Sequence, residues 1–340
     1  MTNNGSKTGQ GERIGIIGAG AFGTALAIIV ARTGSAAFIH GRDRARIAEI
    51  NKRHTNTKYL PEIRLPDTIS ASTDPGALAT CDLVLFAVPA QATRILALRF
   101  ADILRRDIHI VACAKGIEQE TGASQAAILT ATLPGRQLSV LSGPGFAADI
   151  AKGLPTAVTI ASDKLATARY VADRLATLSF RPYASSDVAG VELGGALKNV
   201  IAIACGVVAG RRLGQSAGAA LITRGLAEMM RLADAFGAER QTLMGLSGLG
   251  DLVLTATSTQ SRNTRFGVAL GEGQTVGELL GAGMPLAEGA YTAGIALDLA
   301  ARHGIDMPIT AAVAAVIAGT LSVDDAIAGL VTRPLKSENA

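Results

Sequence analysis

The sequence predicts an α/β fold, with a doubly wound parallel sheet in the N-terminal half and an all-α C-terminal half. Three observations carry this. Short apolar runs ending at Gly or Pro alternate with helical segments as far as residue 185. Those runs are continuous rather than alternating, as strands buried on both faces require. From residue 187 the pattern is helical, with little polar punctuation.

Residues 1–12 are polar and Gly-rich and lack an apolar h-region, so they read as a disordered tail and not as a signal peptide. Residues 13–17 form the first strand, ending at Gly18. Residues 25–32 follow as a helix closed by Gly34. Residues 36–40, 82–88, 108–114 and 138–141 are the next strands, the second of these stopped by Pro89. Helices between such strands imply βαβ units. Residues 156–161 and 181–184 would add edge strands. Asp187 is the expected N-cap of a helix over 188–210, and Gly237 ends another over 217–236. Further helices are expected at 275–280, 290–303 and 309–318. The boundary falls between a domain at 13–185 and a helical one at 186–335, packed together without a low-complexity linker.

The length of 340 residues fits two domains, and an apolar share of 49% against 18% charged excludes disorder and coiled coil. Aromatics are 4% and Trp is absent, which excludes a Trp-stacking nucleic-acid platform. The net charge is +4, from 32 basic and 28 acidic residues, with no dense basic run. A few cations kept for anionic ligands would suffice to explain it. Cys81, Cys113 and Cys205 are far apart in apolar runs, which suits core thiols in a reducing cytosol rather than disulfides or zinc. The four histidines lack metal-ligand spacing. Mean hydropathy is high at +0.33, yet the most apolar stretch, 200–209, is about half a membrane span and precedes Arg211 and Arg212. A buried helix is expected there and no integral membrane segment.

Gly18-Ala19-Gly20-Ala21-Phe22-Gly23 is G-x-G-x-x-G placed after a strand and before a helix. The first glycine permits the turn, the second lets backbone approach a pyrophosphate, and the third lets helix and strand pack closely. Free N–H groups and the helix dipole favour the anion. This marks a Rossmann-like, dinucleotide-binding N-terminal domain. The second strand ends in His40-Gly41-Arg42-Asp43. Arg42 suits a 2′-phosphate, so NADP(H) is favoured over NAD(H), although Asp43 leaves NAD open.

The second half supplies polar residues in apolar surroundings. Lys115 stands at the carboxyl end of a buried strand, the ligand side of an open α/β sheet. Lys198 and Asn199 lie inside an apolar helix. Lys198 is either desolvated, with a lowered pKa suited to proton transfer, or snorkels to solvent. Residues 245–252 read as a Gly-rich turn presenting Asp251, which would orient Lys198 or a substrate hydroxyl. Ser261-Arg262-Asn263 offers a hydroxyl, a guanidinium fork and an amide to phosphate oxygens, or else a helix cap with a surface arginine.

With these residues in place the chain resembles the bacterial NAD(P)-dependent sn-glycerol-3-phosphate dehydrogenases. The likeness covers residue 13 to about 330. It rests on residues 18–27 (GAGAFGTALA), 141–147 (LSGPGFA), 153–157 (GLPTA), 193–204 (LGGALKNVIAIA), 221–229 (LITRGLAEM), 248–255 (GLGDLVLT) and 261–267 (SRNTRFG). The resemblance implies reversible hydride transfer between a nicotinamide and C2 of dihydroxyacetone phosphate, giving sn-glycerol 3-phosphate for phospholipid synthesis. It implies Lys198 as proton donor and acceptor, Lys115 touching substrate and cofactor, and Asp251 as an active-site carboxylate. Ser261, Arg262 and Asn263 become the phosphate triplet, with Arg262 also near the cofactor. Phe22, Arg42, Ala147, Leu286 and Glu288 become cofactor contacts, and Gly143 a backbone contact to substrate.

Two departures stand out. Gly145 replaces the usual Ser or Thr of G-P-[ST]-F-A, so a backbone N–H or water has to stand in for a substrate-contacting hydroxyl. Ala21 replaces a common Ser or Thr in the glycine loop. The residues leave two rivals: a related dehydrogenase of another phosphorylated ketone or hydroxy acid, and a dinucleotide-binding regulator without turnover. A cytoplasmic homodimer is expected.

Overall fold

The structure, a computed structural model, describes residues 12–284 and 287–334. Its first half runs β1 (Arg13–Ile17), α1 (Ala21–Arg32), β2 (Ala36–His40) and α2 (Arg44–Arg53), then a short hairpin of β3 (Thr55–Asn56) and β4 (Leu60–Arg64). It continues with β5 (Ile69–Ser72), β6 (Leu83–Phe86), α3 (Thr93–Phe100), β7 (His109–Ala112), α4 (Gln125–Thr132) and β8 (Gln137–Ser142). It closes with α5 (Ala147–Lys152), β9 (Thr156–Ala161), α6 (Leu165–Leu175) and β10 (Phe180–Ser185).

Eight strands form one sheet in the order β10-β9-β8-β7-β6-β1-β2-β5. β1 is flanked in register by β2 and β6, with Ile14 beside both Ala37 and Leu83. The chain leaves β1 toward β2 and later returns on its other side as β6, so the order reverses there. Such a switch point opens a crevice at the carboxyl ends of the strands. One apolar layer, built on Ile14, Ile16, Leu26 and Ile29, covers one face. A second, on Ile17, Phe86, Phe100 and Leu129, covers the other.

The first half differs from expectation in several places. β9 is an interior strand, and it runs antiparallel to β8, so the sheet is not purely parallel. β10 is an edge strand as expected, but the opposite edge is β5, which the sequence did not reveal. Residues 69–72 (ISAS) alternate between buried and more open positions, so they do not read as a fully buried run. Helix α1 starts at Ala21 rather than residue 25, because Gly20 is its N-cap and Gly23 lies within its first turn.

The second half is helical: α7 (Val188–Gly210), α8 (Gln215–Ala235), α9 (Arg240–Met244), α10 (Asp251–Ala256), α11 (Arg262–Gly271), α12 (Val276–Gly281), α13 (Glu288–Arg302), α14 (Pro308–Ile317) and α15 (Val323–Val331). Asp187 caps α7 by accepting from the Gly190 N–H at 2.8 Å, as expected. α7 has 23 residues and is long and apolar enough to cross a membrane, unlike the shorter stretch singled out in the sequence; 72% of its most apolar window is buried in this fold. Its apolar faces build the helical core with Met229, Leu252, Phe266 and Ala293.

Helices α9, α10 and α15 were not expected, and α11 only as the helix that a cap in the 261–263 triplet would open. Residues 245–252, read as a turn, are instead a wide helical turn over 246–250 that feeds α10. A Cβ on Gly248 would lie 1.9 Å from the Leu243 carbonyl oxygen, five residues earlier on the same turn, and one on Gly194 of α7 would lie 2.7 Å from the Ser247 carbonyl oxygen. The expected disordered tail lies outside the described residues except for Glu12, whose carboxylate is paired with Arg174. The three cysteines are free and buried, and burial pushes the Cys81 thiol up to about 11 and Cys205 to about 12.

Candidate active site

The glycine loop bridges β1 and α1 at the switch point. Gly18 has φ of +120°, and a Cβ there would lie 2.3 Å from the Ala87 carbonyl oxygen, just past β6. A Cβ on Gly23 would lie 2.0 Å from the Gly18 carbonyl oxygen, so helix and turn touch backbone to backbone. A Cβ on Gly20 would meet nothing within 4 Å. The first and third glycines are therefore demanded by crowding, and the second opens onto free space at the N-terminus of α1. No acidic residue occupies that first turn. Ala21 is its first residue and Phe22 its second, and Phe22 packs on the same apolar layer as Ala147 at the start of α5.

The hairpin missed in the sequence braces this loop. Asn56, fully buried, donates to the Ala19 carbonyl at 3.1 Å and to Thr24 Oγ1 at 2.8 Å. At the end of β2, Arg42 is exposed. Asp43 is engaged: its carboxylate caps α2 through the Arg46 N–H at 3.1 Å and pairs with the Arg46 guanidinium at 2.9 Å. Those bonds hold the Asp43 carboxyl below the usual range.

Three elements converge on one carboxylate. Asp251, at the start of α10, is 1% exposed. It accepts from Lys198 Nζ on α7 at 2.8 Å and from Lys115 Nζ, beyond β7, at 2.8 Å. Lys198 also donates to Thr255 Oγ1 at 2.6 Å, and Lys115 to the Gly143 carbonyl at 2.6 Å. Lys198 does not snorkel; it is buried. Burial pushes its ammonium down to about 8, with Asp251 opposing the fall and Lys115 adding to it. Burial pushes the Asp251 carboxyl up, but the two ammonium groups outweigh it and keep it ionised. An ammonium has three N–H donors. Two of those on Lys198 are used among the described residues, and a third remains for an incoming oxygen.

Thr255 was missed because residues 245–252, just before it, were read as a turn, so no helix was carried on to it. On a helix, Asp251 and Thr255 stand four residues apart on one face, so a helical reading would have placed both beside Lys198.

The Ser261-Arg262-Asn263 triplet is at the N-terminus of α11 and is only partly free. Ser261 is the N-cap, accepting from the Thr264 N–H at 3.2 Å. Asn263 donates to Asn199 Oδ1 at 2.9 Å and accepts from the Gly289 N–H at 2.9 Å. Arg262 is exposed. This is the helix cap with a surface arginine, one of the two readings that the sequence offered. Asn199 also donates to the Lys115 carbonyl at 3.1 Å, tying the two clusters together.

Glu288, at the start of α13, has its carboxyl pushed up by burial, against the pull of Arg262 and of a backbone bond to Ala90. Its Oε2 is buried with no hydrogen-bond partner among the described residues. Gly143 is buried with φ of +131°. At Gly145 a Cβ would meet Ile150 Cδ1 at 3.0 Å and Thr156 Cγ2 at 3.3 Å, so a serine there would have to move Ile150. Leu286 lies outside the described residues. No cluster of three or more metal-ligating side chains occurs among the described residues.

Residues 13–168 match the family model described as NAD-dependent glycerol-3-phosphate dehydrogenase N-terminus, and residues 187–328 match that of its C-terminus. A Rhizobium johnstonii protein named glycerol-3-phosphate dehydrogenase (NAD(P)+) is 52% identical over 328 residues, which are 96% of this chain and 99% of that protein. A Rhizobium etli protein of the same name is 51% identical over 328 residues, again 96% and 99% of the two chains. The crystal structure of a Coxiella burnetii glycerol-3-phosphate dehydrogenase superposes with a TM-score of 0.90 at 38% identity, covering 95% of this chain and 99% of that one.

Proposed function

This chain belongs to the NAD-dependent glycerol-3-phosphate dehydrogenase family and is an NAD(P)-dependent oxidoreductase of a CH–OH group; from that premise we propose how its residues divide the reaction. Lys198 is the proton donor in reduction of dihydroxyacetone phosphate and the acceptor in oxidation of sn-glycerol 3-phosphate. The observation that carries this is the buried pairing of Lys198 with Asp251 and Thr255, which leaves one ammonium hydrogen unassigned among the described residues.

The residues around the switch point fit a dinucleotide. The open space at Gly20 and the N–H groups of Ala21 and Phe22 suit the pyrophosphate. The unpartnered Glu288 Oε2 suits a donor on the cofactor, and Ala147, at the start of α5, faces it from the layer that holds Phe22. Arg42, with Asp43 already spent on capping and Arg46, favours the 2′-phosphate of NADP(H). When bound, the nicotinamide supplies or takes the hydride.

The chain's own groups do the rest. Below about pH 8 Lys198 carries its proton and stabilises negative charge growing on the substrate oxygen. After the proton leaves, Asp251 still faces the Lys115 ammonium, so the buried carboxylate is never uncompensated. Arg262 and the N-terminus of α11 hold the dianionic phosphate. Binding that remote group orients C2. The Gly143 segment offers backbone contacts where Gly145 lacks a hydroxyl. The product feeds phospholipid synthesis. The free, buried thiols favour a reducing cytoplasm, and exposed Leu213, Val253 and Val331 on the helical half favour a homodimer.

Initial rates with dihydroxyacetone phosphate and NADPH, then NADH, test this reading. Turnover with NADPH ahead of NADH is expected. Cofactor binding without substrate reduction would overturn the substrate assignment.

A further inference from the structure

Helices α7 and α11 lie against each other in a way the site alone does not require. They run in the same direction. Asn199 pairs with Asn263, and further along a Cβ on Gly267 would lie 2.0 Å from the Ile203 carbonyl oxygen and one on Gly271 2.6 Å from that of Val207. From the other side, a Cβ on Gly206 would lie 2.3 Å from the Thr264 carbonyl oxygen and one on Gly210 2.4 Å from that of Val268. Each helix thus presents glycines four residues apart, and the facing glycines meet Cα to Cα. Only glycine allows backbones this close.

Side-chain packing yields to small strains by changing rotamers. Backbone pressed on backbone has no such slack. At the N-terminal end of this pair stand Lys198 on α7 and Ser261, Arg262 and Asn263 on α11. A third helix joins there: the Gly289 N–H of α13 donates to Asn263, and a Cβ on Gly289 would lie 2.4 Å from the Asn199 carbonyl oxygen.

We propose that the glycine-on-glycine contact of α7 with α11 acts as a ruler. It sets the span between the Lys198 ammonium and the phosphate-holding end of α11, and so selects a three-carbon phosphate. Gly206, Gly210, Gly267 and Gly271 are positioning residues that touch neither substrate nor cofactor. This rests on the reading above that Lys198 faces C2 and Arg262 faces the phosphate.

The test uses the wild type and variants in the intact enzyme. Wild type should prefer dihydroxyacetone phosphate over the hydroxyketone with one extra methylene before the phosphate. The expected margin in kcat/KM is about 100-fold, the cost of roughly 1 Å of misplacement. Equal use of both overturns the ruler. In Gly271→Ala the new methyl forces α11 away from α7. The KM for dihydroxyacetone phosphate should rise and the preference over the longer ketone should shrink about tenfold. A lowered melting temperature with an unchanged preference overturns the ruler, because that marks a purely structural role. Gly210→Ala carries the same prediction if Gly271→Ala does not fold. Arg262→Ala separates the two readings. A raised KM in Arg262→Ala beside unchanged behaviour in Gly271→Ala removes the ruler alone. A normal KM in Arg262→Ala removes the phosphate assignment and the ruler with it.

Discussion

The cofactor loop and the lysine cluster are built on opposite principles. The loop is local. Its conformation comes from consecutive residues, and crowding dictates its glycines: Gly18 against Ala87, Gly23 against Gly18. The cluster is assembled from residues far apart in the chain, with Lys115, Lys198 and Asp251 meeting only after β7, α7 and α10 are packed. The loop works through backbone N–H groups, which any sequence of the right shape supplies. The cluster works through one desolvated ammonium and its counter-charge, which no local pattern can guarantee. A site divided in this way should fail in two separable modes, one losing cofactor and the other losing chemistry.

Lys198→Ala is the largest test of that division. Its kcat should drop by about 10³-fold, within the range general acid–base catalysis contributes, while NADPH binding, measured by fluorescence titration, stays at the wild-type level. Retained turnover would end the proton-transfer role. Gly18→Ala should do the converse. A side chain at φ +120°, pressed 2.3 Å from Ala87, should weaken NADPH binding by about 100-fold, equal to roughly 2.7 kcal/mol, yet spare kcat at saturating cofactor. A kcat that fell as far as in Lys198→Ala would show the two regions to be one unit.

A subtler separation lies in pH. The Lys198 pKa sits near 8, and reduction uses the ammonium, so its kcat/KM should be flat below that pH and fall about tenfold per unit above it. Oxidation uses the neutral amine and should rise toward pH 8 and level off beyond. Profiles that move together, or that keep these limbs in Lys198→Ala, contradict the assignment. The smallest effect is expected at Arg42. Being exposed, its pairing with a 2′-phosphate is worth up to about 1 kcal/mol, so Arg42→Ala should cut the NADPH-over-NADH ratio about fivefold or less. An unchanged ratio in steady-state assays would place cofactor choice elsewhere.

The same contrast explains what could be read in advance. The strands ending at Gly18, at His40 and before Lys115 were visible because they are buried on both faces and therefore continuously apolar. β5 was hidden because it is a short edge strand, and the β3–β4 hairpin because it is a separate two-stranded ribbon; both carry polar residues, although Asn56 on that hairpin braces the glycine loop. The antiparallel turn of β9 leaves no mark on composition. In the helical half, Asp187 announced α7 through its capping chemistry, whereas the glycines before Asp251 masked α10 and with it Thr255. A glycine read alone signals a turn; here it signals backbone contact, and only the neighbouring chain distinguishes the two.

By itself, the sequence determined the order of the buried strands, the pyrophosphate loop and the identity of the charged groups in the site, because these depend on periodicity, steric freedom and residue chemistry within a few positions. Tertiary structure alone decided the charge state and partnership of those groups. Lys198 becomes a proton carrier poised near pH 8 because packing strips its water and lends it half of Asp251. Asn263 turns from a free amide into the pin joining three helices because α7, α11 and α13 close on it. Desolvation and long-range contact are properties of the packed chain, and no single segment contains them.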